Sequence, residues 1–466
     1  MTKVLLAMAP YPRSVKAYWP PVGISYIASY LHERQPEANV KAVDFTLDEF
    51  SVKIWRDKLA EIRPDIVGIS LLTMNAANGM MLARLAKDIN PAIVTVLGGV
   101  HASLYPAETA EHCDVVVRGE GEETFHEIAR GRELETIDGI SYLRNGQPFH
   151  TSPRSRLDNL DTLPFPALSL FRIQEYVWPR SGSGAITGSR GCPFACTFCA
   201  SQNHWGRIIR LRSAQNIIDE VAHLHREYGF KRIEFQDDLI NLPQKRAFEI
   251  CDEIIGRGLH QQLEFFTLIR GNKNLVSQEL FEKMRAANFR EIGMGIESGS
   301  PKVLKTIRKS ITVEEASQAI KMARKAGVNI GGNFMVGNRD ETIWDIFKTW
   351  LFVLRNNVIP AFWICTPYPG TEFARQLTAT GYLTAGQDWW ARANAYTAIA
   401  RTNKMSKGTI TFVYFVSVAL QIMLTSIRTG KPSAGFSLAR RAAIEVWGNL
   451  KAGKRFRSGS DKTTVQ

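Results

Sequence analysis

Disulfide-forming capacity is what this sequence has least of: six cysteines are spread over 466 residues, and three of them fall in one short loop. A disulfide framework does not fit that usage, and a reducing cytosol is implied. Cys113, Cys251 and Cys365, outside the loop, read as small buried hydrophobes. The first ten residues carry one basic residue and a short apolar run ending in Pro10 and Pro12, which reads as a first buried strand rather than a signal peptide. Long uncharged runs are also scarce. Thr409 to Ile427 lacks charge, but Ser417, Gln421 and Thr425 recur at i, i+4 and i+8. That polar stripe favours a helix packed on protein over one lying at a membrane interface or spanning it. No helix-turn-helix and no basic patch interleaved with aromatics is present, so nucleic acid is not an expected partner. Acidic residues run short at the end. Asn403 to Gln466 holds 11 Lys and Arg against Glu445 and Asp461, so nine of the net +13 charges lie there. A solvated basic face explains this most simply; a membrane surface or an anionic substrate is the alternative.

What is there begins with Gly188-Ser-Arg-Gly-Cys-Pro-Phe-Ala-Cys-Thr-Phe-Cys199, a Cys-x3-Cys-x2-Cys loop of Cys192, Cys196 and Cys199. Three thiolates this close suit one face of an iron–sulfur cubane, whose fourth iron is left open to a substrate or cofactor. Zinc needs a fourth protein ligand at its own spacing, and the nearest candidate, His204, lacks a paired partner. The motif, with Phe198 just before the last cysteine, resembles that of the radical S-adenosylmethionine (SAM) superfamily. The resemblance implies a 4Fe-4S cluster whose open iron chelates SAM, and reductive cleavage to a 5′-deoxyadenosyl radical that abstracts hydrogen from an unactivated carbon. An external donor of flavodoxin or ferredoxin type would supply the electron.

Upstream, strands at Lys3–Met8, Val40–Asp44, Asp65–Ser70, Ile93–Leu97 and Asp114–Arg118 alternate with amphipathic helices. Continuous β-branched runs of this kind predict a doubly wound parallel sheet with a ligand crevice at the strand carboxyl ends. Those ends carry Ser70 to Asn75, Gly98-Gly-Val-His101 and Arg118-Gly-Glu-Gly-Glu-Glu-Thr124, the last opening a helix whose first-turn carboxylates complement its dipole. Turn glycines and a capped helix would explain them equally well. Trp19-Pro-Pro-Val-Gly23, Gly98-Gly-Val-His101 and Val116-Val-Arg-Gly-Glu-Gly-Glu122 resemble the Rossmann-like cobalamin-binding domain of one radical SAM subclass. The resemblance implies cobalamin contacts at Ser70, Thr73, Gly98, Gly99, His101, Gly119, Glu120, Gly121 and Glu122, with the loop Leu71–Asn75 under the corrin. The Asp-x-His-x-x-Gly signature is absent, so His101 is not assigned as a ligand to cobalt.

A hairpin turning at Asn145-Gly146 and a Pro-rich stretch near Leu163 read as a connector. Six strands follow, at Gly184–Ser189, Arg232–Gln236, Leu263–Leu268, Glu291–Ile296, Asn329–Val336 and Ala361–Thr366, which predicts a partial (β/α)6 barrel with its chemistry at the strand carboxyl ends. By resemblance, Asp237 and Asp238 hold the SAM amino group, Glu297 lies near ribose or carboxylate, Phe198 packs near adenine, and Arg270 is a further contact. Gly337-Asn-Arg-Asp-Glu-Thr342 departs from the family's usual Pro-Gly-Glu-Thr. The expected organisation is a cobalamin domain at 1–138, a connector at 139–177, the barrel at 178–377 and a basic, mostly helical segment at 378–466.

Trp19-Pro-Pro, Phe334-Met-Val-Gly with Asp340-Glu-Thr342, and Trp363-Ile-Cys-Thr-Pro-Tyr-Pro are similar to the anaerobic magnesium-protoporphyrin monomethyl ester cyclase and class B methylase group. The resemblance implies a cobalamin-dependent enzyme acting on a bulky small molecule of tetrapyrrole, lipid or natural-product kind. Methyl transfer ranks ahead of oxidative cyclisation or rearrangement, and a non-catalytic cobalamin or iron–sulfur sensor remains a different class of reading. The expected location is cytoplasmic, with peripheral contact to the inner membrane through the basic C-terminal segment as an added expectation.

Overall fold

In the computed structural model, residues 1–11, 18–47, 50–383, 389 and 396–429 are described. Strands β1 (Lys3–Met8), β2 (Asn39–Asp44), β3 (Ile66–Ser70), β4 (Val94–Gly98) and β5 (Val115–Val117) form a parallel sheet in the order β2-β1-β3-β4-β5. Both faces are covered, and alternation along β1 shows how. Val4, Leu6 and Met8 join one apolar cluster with Ile24 and Phe125, while Leu5, Ala7 and Ala9 join the other with Trp55 and Leu82. The strand order reverses between β1 and β3, so a crevice opens at their carboxyl ends.

The expected hairpin forms as β6 (Ile140–Arg144) and β7 (Gln147–His150), turning through Asn145 and Gly146, both at positive φ. It is more than a connector. β6 pairs antiparallel with the short β5 and so covers what would otherwise be a bare sheet edge.

The second half departs from the sequence reading in two strands. The first splits into β8 (Ser183–Ile186), which stays in the barrel, and β9 (Ser189–Arg190), which leaves to pair antiparallel with β10 (Arg210–Leu211). β11 (Arg232–Phe235) follows. The third predicted strand breaks at Thr267 into β12 (Glu264–Phe266), paired with β11, and β13 (Leu268–Ile269), paired with β14 (Glu291–Glu297). β15 (Asn329–Val336) and β16 (Ile359–Ile364) complete six parallel strand positions curved into a partial barrel. Helices cover the outside and are capped where the sequence provides for it. Ser213 accepts from Asn216 N at 3.1 Å to open Ala214–Tyr228, and Thr312 with Glu315 forms a capping box at Val313–Lys325.

The uncharged C-terminal run lies in the Lys407–Thr429 helix, and its polar stripe faces inward as expected of a packed helix. Ser417 Oγ accepts from the Trp350 indole at 2.9 Å, and Gln421 Oε1 accepts from Phe362 N on the edge strand β16 at 3.2 Å. Trp390 and the basic run Lys451 to Arg457 lie outside the described residues.

Candidate active site

β9 delivers the cysteine loop, and Asp237, just past β11, holds β9 in place. Its carboxylate accepts from Gly188 N at 2.9 Å, from Ser189 Oγ, and from Arg246 Nη2 at 3.2 Å. Asp237, expected near the SAM amino group, thus also fixes the backbone that leads into Cys192. Gly191 then turns the chain at φ +96°, where a Cβ would stand 2.2 Å from the Ile208 carbonyl oxygen. Only glycine fits there. Asp238, adjacent in sequence, projects into solvent and accepts from Ser201 Oγ at 2.6 Å.

Burial pushes the Cys199 thiol up to about 11, with the Asp238 charge adding to it, and burial raises Cys192 as well. Both are protonated at neutral pH, so binding a metal centre releases protons. Arg270 faces the same loop. Its Nη1 lies 3.8 Å from Cys196 Sγ, its guanidinium stacks 3.6 Å from the centre of the Phe194 ring, and Nε donates to Asn272 Oδ1 at 2.8 Å. That cation offsets charge on a thiolate.

At the carboxyl end of the barrel, Phe198, Glu297, Asn333, Met335, Trp363 and Tyr368 line a cavity of about 350 Å³. Glu297 sits in a bulge of β14 at φ +71° and is ion-paired with Lys309 Nζ at 2.7 Å. A non-glycine residue held in that region costs of order 1–3 kcal/mol and persists where its surroundings impose it, commonly at functional sites.

The crevice of the first sheet is built mainly from backbone. Gly99, at φ +96°, leaves no room for a side chain, since a Cβ would meet the Leu71 carbonyl oxygen at 2.7 Å. Gly119 faces open space and donates its N–H to Ser103 Oγ at 2.9 Å. Ser70, Thr73, Gly98 and Gly121 line the same edge, half-buried. Asn75 anchors the loop after β3, accepting from Leu72 N at 2.7 Å and donating to Ala9 O at 2.8 Å.

Three of the expected crevice residues also have partners within the protein. His101 is fully buried with its ring 5.1 Å from that of Tyr105, and burial lowers its pKa to about 4, so it stays neutral at physiological pH as a core side chain. Glu120 and Glu122 reach across to the cysteine loop. Arg190 Nη1 donates to Glu120 Oε1 at 2.6 Å and Arg190 Nη2 to Glu122 Oε1 at 2.5 Å, while Arg210 on the paired strand β10 reaches Glu120 at 2.7 Å. The four side chains are only 8–12% exposed. Arg190 precedes Cys192 by two residues, so the clamp ties the crevice to the thiols. A second tie lies beyond Cys199, where the Ser201–Trp205 helix packs on the Val100–Leu104 helix that follows Gly99. Sequence reading missed Arg190, Arg210, Ser189, Arg246 and Lys309, because an arginine or lysine far along the chain carries no local sign of its partner.

Two family descriptions match: "B12 binding domain" over residues 10–129 and "Radical SAM superfamily" over 186–353. An uncharacterized methyltransferase of Pyrococcus horikoshii is 35% identical over 393 residues, covering 82% of this chain and 84% of that protein. This chain belongs to the cobalamin-binding radical SAM family. The anaerobic magnesium-protoporphyrin IX monomethyl ester cyclase of Rubrivivax gelatinosus is 28% identical over 77% of this chain and 66% of that protein. The solved structure of OxsB, a cobalamin-dependent SAM radical enzyme with aqua-cobalamin and SAM bound, shares the fold with a TM-score of 0.76. It is 17% identical, over 97% of this chain and 72% of that one.

As a cobalamin-dependent radical SAM enzyme, this chain uses a 4Fe-4S cluster, SAM and cobalamin. Its residues fit that set. Among the described residues no three His, Cys, Asp or Glu side chains converge on a single-ion position. Cys192, Cys196 and Cys199 on one loop, with the Arg270 cation 3.8 Å from Cys196 Sγ, offer three thiolates for a cluster whose fourth iron is left to SAM. The crevice fits a large flat ligand held by backbone, with glycine at its close approaches.

Proposed function

We propose that this enzyme transfers a methyl group to an unactivated carbon of a bulky small molecule, and that the roof and floor of its reaction chamber are the crevice and the cysteine loop. The observation that carries this reading is the buried Arg190–Glu120–Glu122 clamp, which locks the two against each other beside a cavity at the barrel mouth. When bound, the cluster with SAM supplies a 5′-deoxyadenosyl radical and cobalamin supplies a transferable methyl group.

The chain's own residues do the rest. Cys192, Cys196 and Cys199 bind the cluster, with Arg270 offsetting thiolate charge and Asp237 fixing the loop. Phe198, Asp238 and Glu297 orient SAM, Glu297 through the geometry that Lys309 imposes. Ser70, Thr73, Gly98, Gly99, Gly119 and Gly121 bind cobalamin. Met335, Trp363 and Tyr368 wall the substrate space and exclude water. The electron comes from a flavodoxin or ferredoxin-type donor.

The test is anaerobic incubation of reconstituted enzyme with reductant, cobalamin and SAM carrying a deuterated methyl group, beside Cys196→Ala. S-Adenosylhomocysteine together with 5′-deoxyadenosine, the latter lost in the variant, supports methyl transfer. 5′-Deoxyadenosine alone moves the reading to radical cyclisation, the reaction in the printed name of the Rubrivivax relative. Neither product from protein that holds iron and cobalamin points to cleavage that waits for substrate or to the sensor reading.

A further inference from the structure

The Lys407–Thr429 helix is apolar on two sides: Ile410, Val413, Tyr414 and Val418 are buried in the core. Ser417, Gln421 and Thr425 face the barrel. At 100° per residue, Phe412, Phe415, Val416, Ala419, Met423 and Ile427 fall on the opposite side, and all six are exposed, Phe412 by 67% and Ile427 by 72%. A second apolar side that shows two phenylalanines to water is costly to leave uncovered.

It does not stand alone. The neighbouring Ile343–Asn356 helix exposes Ile343, Trp344, Phe347 and Leu354, with Trp344 72% exposed. Trp350 lies in that stripe and donates its indole N–H to Ser417, so the apolar strips of the two helices adjoin. Both helices begin at the barrel end that carries the cavity: Ile343 follows β15, and Ile410 packs on Gly337 at the close of the same strand.

The exposed charge on this face is mainly positive, with Asp340, paired to Arg339, the acidic residue beside it. Lys348 is exposed one turn from Trp344 and Arg355 beside Leu354 on one helix, and Lys404 and Lys407 are exposed at the start of the other, where the helix dipole disfavours cations. The chain after Thr429 adds eight Lys and Arg against two acidic residues. A second copy would bring like charge against like charge. An anionic lipid surface matches the cations and dissolves the apolar face at once.

We infer that these two helices form an interfacial docking face that seats the enzyme flat on an anionic bilayer. The long helix is long and apolar enough to cross a membrane by length and composition. Its polar edge is bonded to Phe362 N and to Trp350, so it lies in the interface instead. The inference stands apart from the reaction proposed above.

The experiment is flotation of the full, reconstituted chain with vesicles of phosphatidylcholine alone and of an equal mixture with phosphatidylglycerol, at low and high salt. Two paired variants, Phe412→Ser with Met423→Ser and Trp344→Ser with Phe347→Ser, are run beside it, with their melting temperatures and oligomeric state. Binding to the anionic vesicles, weakened by salt and by roughly tenfold or more in each folded variant, is the expected result. No binding to the anionic vesicles overturns the inference. So does binding that the folded variants retain unchanged, which would assign it to the basic tail alone, or a dimer that the variants dissociate.

Discussion

Replacing Arg190 with Met removes the guanidinium that serves both Glu120 and Glu122 while keeping much of the side chain's bulk. Breaking a buried ion pair from one side costs about 3–5 kcal/mol, because the partner charge is left in a poorly solvated site. Glu120 retains Arg210 at 2.7 Å, so the loss falls mainly on Glu122. We expect about 3 kcal/mol, read as a fall in the urea midpoint of anaerobically reconstituted protein, together with loss of cobalamin on gel filtration. The double variant Arg190→Met with Glu122→Gln removes the stranded charge and should recover part of that stability. Acid probes the same device. Burial acts to raise the Glu120 carboxyl, but the hydrogen bonds from Arg210 and Arg190 prevail and hold it below its ordinary value. A depressed carboxylate contributes stability above its unfolded pKa and loses it as pH falls through the folded value, so the wild type should weaken more steeply in acid than the variant. A midpoint within about 1 kcal/mol of wild type with cobalamin retained, or no recovery in the double variant, refutes the reasoning.

Gly99→Ala adds a Cβ 2.7 Å from the Leu71 carbonyl oxygen at φ +96°, so cobalamin binding should fall while iron content holds, as metal analysis against cobalamin absorbance would show. Glu341 is fully buried, and burial raises its pKa to about 8 even though it accepts from Gly337 N and Asn338 N. Its folded value exceeds its unfolded one, so the stability it contributes is greatest below about pH 4.5 and is lost as pH rises through 8, on the order of 1.4 kcal/mol per unit. Glu341→Gln should abolish that decline, and parallel stability curves for the two proteins between pH 5 and 8 would contradict it. Asp237→Asn should lower both stability and iron loading, whereas Asp238→Asn should leave them intact and weaken SAM binding measured by calorimetry.

The strands of the first sheet were legible because apolar runs such as Val4 to Ala7 are buried on both faces and carry their own period. The three loop thiols were legible from spacing, and the packed C-terminal helix from the recurrence of Ser417, Gln421 and Thr425. What escaped was long-range pairing. Glu120 and Glu122 look from the sequence like first-turn carboxylates facing a ligand, and only the fold brings Arg190 and Arg210 to them from 70 and 90 residues away. Asp237 and Asp238 are indistinguishable as neighbours in sequence, yet one turns into the protein and the other to solvent. His101 shows no local sign that its ring is packed on Tyr105. The positive φ of Glu297 comes from a bulge that no residue preference announces.

If the cysteine loop and the strand-end crevice form a single reaction chamber held closed by Arg190, the cluster and the cobalt lie close enough to interact magnetically. Electron paramagnetic resonance of the reduced, reconstituted enzyme with cobalt in its paramagnetic divalent state tests this most directly. The cluster and cobalt signals should broaden each other in the wild type, and the mutual broadening should diminish in Arg190→Met. Two independent, unperturbed spectra from protein that holds both centres in full amount would contradict it.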